Sequence, residues 1–207
     1  MTTSPLTGLT HTVDVAGRAV DLPMVAIKPD LVIALMMIID MGVDFLAHVG
    51  REIAARLAPL RPDVIVGAAT LGIPIAIEVS RQLGLDNYVV LQKSPKLHLR
   101  DALEERVTSI TSNGEQRLLL DRRAVPLLAG RRTVVVDDVV ASGASLRGAM
   151  ALARAAGADV VASAVILTES YAWRDELGDD AEGIISLGHI PQFEPDGAGG
   201  WKQIAGT

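Results

Sequence analysis

From residue 43 to residue 168 the chain alternates short apolar runs with stretches of helical spacing. Val43, Leu46, Ala47, Gly50, Ile53, Ala54 and Leu57 recur at the helical period. Pro59 and Pro62 stop that helix. Val64-Ile65-Val66-Gly67 then reads as a short buried strand. Residues 73–83 read as a helix, with Pro74 in its first turn and Gly84 just past its end. Tyr88 to Leu91, Thr133 to Val136 and Val160 to Leu167 are further strands, and residues 145–156 form a helix ending at Gly157. Strand and helix in alternation predict an α/β fold, an open parallel sheet with helices on both faces. In such sheets ligands bind beyond the carboxyl ends of the strands.

The flanks read differently. Residues 11–22 alternate apolar and polar side chains around Ala16-Gly17, the pattern of a small hairpin. Leu31 to Ile39 is the longest apolar run. Bounded by Asp30 and Asp40, it predicts a buried strand and is far short of the roughly 20 residues that span a bilayer. Residues 93–116 are polar and charged, so they form either a mobile functional loop or a protruding β-arm. Arg117 to Leu120 and Ile184 to Leu187 are strand candidates. The Gly-rich tail from Pro191 is expected to be irregular.

Composition narrows the chemistry. The 207 residues include no Cys, which removes disulfides, thiol nucleophiles and cysteine metal sites. His11, His48, His98 and His189 show no metal-ligand spacing. A net charge of −6 argues against nucleic acid as a partner, yet leaves room for local basic pockets. Met1 to Val13 has neither a basic n-region nor an apolar h-region. A cytoplasmic protein with no membrane association is therefore expected.

The segment with most chemistry is Thr133-Val134-Val135-Val136-Asp137-Asp138-Val139-Val140-Ala141-Ser142-Gly143-Ala144-Ser145. An apolar strand ends in two carboxylates, and a small hydroxyl-bearing loop then opens a helix. Successive backbone N–H groups at a helix start form an anion-binding nest. Ser142 and Ser145 add hydroxyl donors, and Gly143 lets the backbone come close to a phosphate. Carboxylates beside a phosphate would repel it. They make sense if they accept hydrogen bonds from nearby sugar hydroxyls, or if they sit near a metal. No G-x-x-x-x-G-K-[ST] or G-x-G-x-x-G accompanies them, so neither a P-loop nor a dinucleotide fold is indicated.

These thirteen residues resemble the signature of the type I phosphoribosyltransferases for 5-phosphoribosyl 1-diphosphate (PRPP), with Ser where Thr is commoner at positions 142 and 145. The resemblance implies that Asp137 and Asp138 bind the ribose hydroxyls near Mg²⁺. It implies that Ala141, Ser142, Gly143, Ala144 and Ser145 wrap the 5-phosphate. Ala69, Thr70, Leu71 and Gly72, in the loop after the strand at 64–66, would hold pyrophosphate through backbone N–H groups. Leu91 to Leu97 is similar to the basic strand end of adenine and xanthine phosphoribosyltransferases, with Lys93 and Lys96 placed to neutralise pyrophosphate. Residues 98–116 would supply a lid. Thr168 to Leu177 and Ile184 to Leu187 resemble the end of the xanthine-type branch. Where that branch carries a Lys after the strand at 160–167, this chain has Glu169. Glu169 either reads the base or caps the helix that begins near Tyr171.

The resemblance spans residues 43–187 and implies a core with that extent. Residues 1–42 form an N-terminal hood segment, and residues 188–207 a C-terminal tail or hood. It implies a purine phosphoribosyltransferase, with PRPP and a purine base (adenine favoured) as substrates, Mg²⁺ as cofactor and a homodimer as the assembly. The rival reading is a non-enzymatic PRPP-binding regulator. It draws on the pyrophosphate loop, which is apolar apart from Thr70.

Overall fold

The computed structural model describes residues 6–95, 99, 101–108 and 115–207. Strands β1 (Leu6–Val15), β2 (Arg18–Lys28) and β3 (Leu31–Ala34) come first, then helix α1 (Val43–Leu57). Strand β4 (Val64–Ala68), helix α2 (Gly72–Leu83) and strand β5 (Tyr88–Leu91) follow. An antiparallel pair, β6 (Leu103–Thr108) and β7 (Glu115–Leu120), leads through the short helix α3 (Val125–Leu128) to β8 (Arg132–Val140). Helix α4 (Ala144–Ala155), β9 (Asp159–Glu169), α5 (Ala172–Leu177) and β10 (Ile184–Ile190) complete the alternation. Strands β11 (Gln192–Pro195) and β12 (Trp201–Gln203) end the chain.

Five strands form the central sheet in the order β10-β9-β8-β4-β5, all parallel. Residues alternate across its two faces as the period of 2 demands. Ile65, Val134, Val136, Ala164 and Ile166 pack with Phe45, Val49 and Ile53 of α1 and with Ile75 and Val79 of α2. Val64, Val66, Val135 and Val165 join Leu146, Met150 and Leu152 of α4 on the other face. Both faces are covered, which is why these strands read as continuous apolar runs. Among the described residues no helix is long and apolar enough to cross a membrane.

A second sheet, in the order β1-β2-β3-β11-β12, joins the two ends of the chain. Its first hairpin turns at Ala16 (φ 50°) and Gly17 (φ 85°), and the Gly17 N–H donates to Asp14 Oδ1 at 2.9 Å. Positive φ at both turn residues suits the twist of a two-residue hairpin.

Two expectations are corrected. The run Leu31–Ile39 is a strand only to Ala34, and Ile38–Asp40 form a 3₁₀ turn. Pro23 supplies the reason. It accepts from the Leu35 N–H at 2.9 Å but has no N–H to return, so the ladder with β2 ends there. The tail is not irregular either. Asp196 Oδ1 accepts from the N–H groups of Ala198 (2.7 Å) and Gly200 (2.8 Å), so the Gly-rich segment is the turn between β11 and β12.

Within residues 93–116, the described stretches 103–108 and 115–116 lie in the antiparallel pair β6–β7, as the β-arm reading expects. Strand β6 lies on α4, where Val107 fills the space that a side chain at Gly148 would need. A backbone bridge between Gln92 and Leu119 ties β7 to the end of β5.

Gly67 is a further point of close approach. A Cβ there would overlap the Gly72 carbonyl across the turn from β4 to α2. Backbone cannot yield as a flexible side chain can. Gly67→Ala is expected to destabilise the fold by about 1–3 kcal/mol, read as a lower midpoint in urea denaturation.

Candidate active site

Numbered along its own five strands, the parallel sheet runs 2-1-3-4-5, and the order reverses between β4 and β8. A crevice opens where loops leave neighbouring strands in opposite directions, and ligands bind there. The loops after β4 and β8 are those carrying residues 69–72 and 141–145. The first of them packs against β8 itself: a Cβ on Gly72 would lie 3.0 Å from the Val136 carbonyl oxygen.

On the β8 side the strand runs on through both carboxylates to Val140. Gly143 then takes φ 85° and starts α4 as its N-cap, with no side chain capping the helix. The first-turn N–H groups of α4 therefore lack intrahelical partners and carry the positive end of the helix dipole. Ser142 and Ser145 are half-buried at this end, and Gly143 and Ala144 are buried. Helix α5 backs the loop. A Cβ on Gly143 would sit 3.1 Å from the Trp173 carbonyl oxygen, and Arg147 on α4 pairs with Glu176 on α5 at 2.6 Å. The loop has the form of an oxyanion cradle.

Asp138 is buried at 8 % exposure, and its N–H donates to Asp137 Oδ1 at 3.0 Å. Burial, followed by the neighbouring Asp138 charge, pushes the Asp137 carboxyl up to about 7. Burial also raises Asp138, against the opposing pull of the Val139 N–H. Lys93 acts on both carboxyls in the lowering direction, so its charge faces the pair.

On the β4 side Ala69, Thr70 and Leu71 line a cavity of about 550 Å³ together with Met37, Ile39, Gln92, Lys93 and Ser94. The Ala69 N–H donates to the Leu91 carbonyl at 2.8 Å, and the Ala69–Thr70 peptide is cis. Gly72 begins α2 behind this loop. Thus residues 69–71 and Lys93 line one cavity, the Lys93 charge acts on the two aspartates, and 141–145 follow those aspartates along the same strand. Lys96 lies outside the described residues, as do residues 98, 100 and 109–114 of the expected lid.

Glu169 ends β9 at the same carboxyl edge and is buried at 6 % exposure. It does not cap α5, whose N-cap, Tyr171, has no side-chain cap bond; the Ala172 N–H goes to Ser170 Oγ at 3.3 Å. Its Oε1 accepts from Gln192 Nε2 at 2.9 Å. Burial raises its pKa, and the Gln192 bond opposes that rise.

Several lining residues carry no readable local signal. Met37 and Ile39 sit in an apolar run whose period gives no hint of the turn at Ile38. Gln92 and Ser94 look like ordinary polar residues around Lys93. Gln192 falls in the segment expected to be irregular.

Among the described residues, no group of three or more His, Asp or Glu is placed to hold a metal. The aspartate pair alone offers hard oxygen ligands. That fits a Mg²⁺ held jointly by a carboxylate, water and the phosphates of a ligand, rather than a protein cage.

Crevice, uncapped helix start and acid pair lie at the carboxyl edge of an α/β protein. The phosphoribosyl transferase domain model matches residues 43–191, and the chain belongs to that family. It is 32 % identical over 150 residues to a xanthine phosphoribosyltransferase of Exiguobacterium sp., covering 72 % of this chain and 76 % of that one. It is 32 % identical over 136 residues to an adenine phosphoribosyltransferase of Rhodospirillum centenum, covering 65 % and 76 %. The structure of the Giardia lamblia adenine enzyme complexed with 9-deazaadenine shares the fold, with a TM-score of 0.64 and 19 % identity over 88 % of this chain and 94 % of that one. The regulator reading finds no support in these likenesses.

The acid pair makes stability depend on pH. A carboxyl raised in the folded state keeps its proton there while the unfolded chain has lost it. The stabilisation is full below the unfolded value near 4 and is lost as pH rises through about 7. Urea denaturation from pH 5 to 8 should show the wild type losing stability, and Asp137→Asn should flatten that slope.

Proposed function

We propose that this phosphoribosyltransferase joins a purine base to the ribosyl group of PRPP, giving a nucleoside monophosphate and pyrophosphate. The observation that carries the reading is the Asp137-Asp138 pair standing beside an uncapped helix start, across the crevice from the Lys93 cavity. Ala141 to Ser145 receive the 5-phosphate. Asp137 and Asp138 accept hydrogen bonds from the ribose hydroxyls. Ala69 to Gly72, Lys93 and Lys96 receive pyrophosphate. Residues 43–187 form the core, with residues 1–42 and 188–207 as a hood over its carboxyl edge.

The bond from C1′ to pyrophosphate breaks through an oxocarbenium-like transition state, and no protein nucleophile is needed. Charge gathers on the leaving group, where Lys93 and backbone N–H groups stabilise it. Mg²⁺ bound near the aspartates would neutralise further phosphate charge. Residues 98–116 are assigned the exclusion of water from the cation. The family resemblance carries with it a homodimer and a cytoplasmic setting.

The base is read as adenine. Glu169 at the carboxyl edge can only accept when ionised, and an exocyclic amino group donates. A 6-oxo purine would set one acceptor against another and leave it unpaired at a cost of roughly 1–3 kcal/mol.

Pyrophosphate release measured with adenine, guanine, hypoxanthine and xanthine tests the reading. Adenine should give the highest kcat/KM, and Glu169→Lys should shift preference toward 6-oxo bases by about tenfold or more. A wild type that prefers xanthine would overturn the adenine assignment. Asp137→Asn with Asp138→Asn should abolish PRPP binding by calorimetry while circular dichroism stays native. Unchanged affinity would remove the pair from the site.

A further inference from the structure

A side-chain hydrogen bond joins the second sheet to the carboxyl edge of the parallel sheet. Gln192 Nε2 donates to Glu169 Oε1 at 2.9 Å. Both ends of this contact are held. Glu169 is the last residue of β9 and pairs in register with Ile190 of β10. Gln192 opens β11 two residues later and pairs with Ile33 of β3. The backbone of Gln192 is engaged at both polar groups: its N–H donates to Thr207 Oγ1 at 3.1 Å, and its carbonyl accepts from the Ile204 N–H at 2.9 Å. The amide therefore reaches Glu169 from a fixed base.

The two carboxylate oxygens of Glu169 are not equivalent. Oε1 is occupied by Gln192. Oε2 has no hydrogen-bond partner among the described residues. No Lys or Arg pairs with this carboxylate among the described residues, and a nearly buried carboxylate with a single neutral donor is short of hydrogen bonds. One oxygen is held by Gln192, and the other is without a protein donor among the described residues, at the carboxyl edge of β9.

We propose that Gln192 is a positioning residue for base selection: it occupies Glu169 Oε1 and leaves Oε2 as a single acceptor for one N–H donor of the purine. The inference rests on the reading of Glu169 as the residue that meets the base. It deepens that reading, because with Gln192 donating to Oε1 the oxygen with both lone pairs available to a donor of the base is Oε2. The ligand class is a base presenting one donor at that point, such as an exocyclic amino group. Glu169 is the residue that touches substrate, and Gln192 acts through it.

Steady-state kinetics on purified full-length wild type, Gln192→Leu, Glu169→Gln and the double variant test this, with adenine, hypoxanthine and PRPP varied separately. Gln192→Leu keeps the bulk and removes the donor. It should raise the KM for adenine about tenfold, leave the KM for PRPP within twofold, and narrow the adenine preference. In the Glu169→Gln background the same substitution should add little, because the group it positions is already changed. Thermal melts report folding of each variant. Should Gln192→Leu melt early, Gln192→Glu serves instead: with Glu169 intact, its adenine KM should fall as pH is lowered and the two carboxyls share a proton.

Equal rises in both KM values, or an unchanged base ranking in Gln192→Leu while Glu169→Gln alters it, would overturn the positioning role alone. An unchanged ranking in Glu169→Gln would overturn the Glu169 reading and this inference with it. A wild type that releases no pyrophosphate with any purine would overturn the proposed function itself.

Discussion

The parallel pairing of β4 with β8 is the contact on which the rest of the site depends. Val64, Ile65, Val66 and Gly67 lie beside Thr133, Val134, Val135 and Val136, and all eight residues are buried. This is where the strand order reverses, so the pairing alone decides that the loops after the two strands face one another. The two strands are 69 residues apart in sequence along this register. A one-residue slip would turn every side chain to the opposite face. It would also move the aspartates relative to the Thr70 loop. Close backbone approaches at Gly67 and Gly72 seat the start of α2 against β4 and β8.

From that pairing the electrostatics follow. Strand β8 carries its acids at the rim of a sheet covered on both faces, so they are poorly hydrated and each feels the other. Left alone, such a pair favours a proton over a full double charge. Lys93, at the end of β5 on the far side of β4, faces the pair and pulls the other way. The site therefore holds acid, cation and oriented amides within one crevice. Each compensates a charge that the others would find costly, which is the complementarity that the proposed substrate, with its phosphate, hydroxyls and leaving pyrophosphate, would require. The β6–β7 arm belongs to the same frame, since α4, which starts just past Gly143, is the surface that seats it.

Much of this was readable in residues alone. The helices at 43–57 and 73–83, the buried strands and the string from 133 to 145 announce themselves, because local period and turn chemistry agree with the global fold there. What the sequence hides is pairing at a distance. Nothing near Leu31–Ile39 says that Pro23 will end its ladder, because the two meet only through the β2–β3 hairpin. Nothing in the Gly-rich tail says that Asp196 will organise it into a hairpin turn, or that β11 will find β3. The cavity residues Met37 and Ile39 were hidden for the same reason: their place depends on where that ladder stops.

The contact between Glu169 and Gln192 shows what such distant pairing adds. Local chemistry alone leaves Glu169 with two roles, a helix cap or a ligand contact. Capping requires the carboxylate to bend back to N–H groups of α5, and Ser170 already serves that end. The side chain instead faces a strand that is built only when both ends of the chain come together. Its environment is thus a property of the assembled second sheet, not of β9. A site residue whose surroundings are made by the chain termini can change its selectivity through those termini while the nest and the acid pair stay fixed. On the proposed reading, that would separate the task of holding the sugar phosphate, built on β4 and β8, from the task of choosing the base.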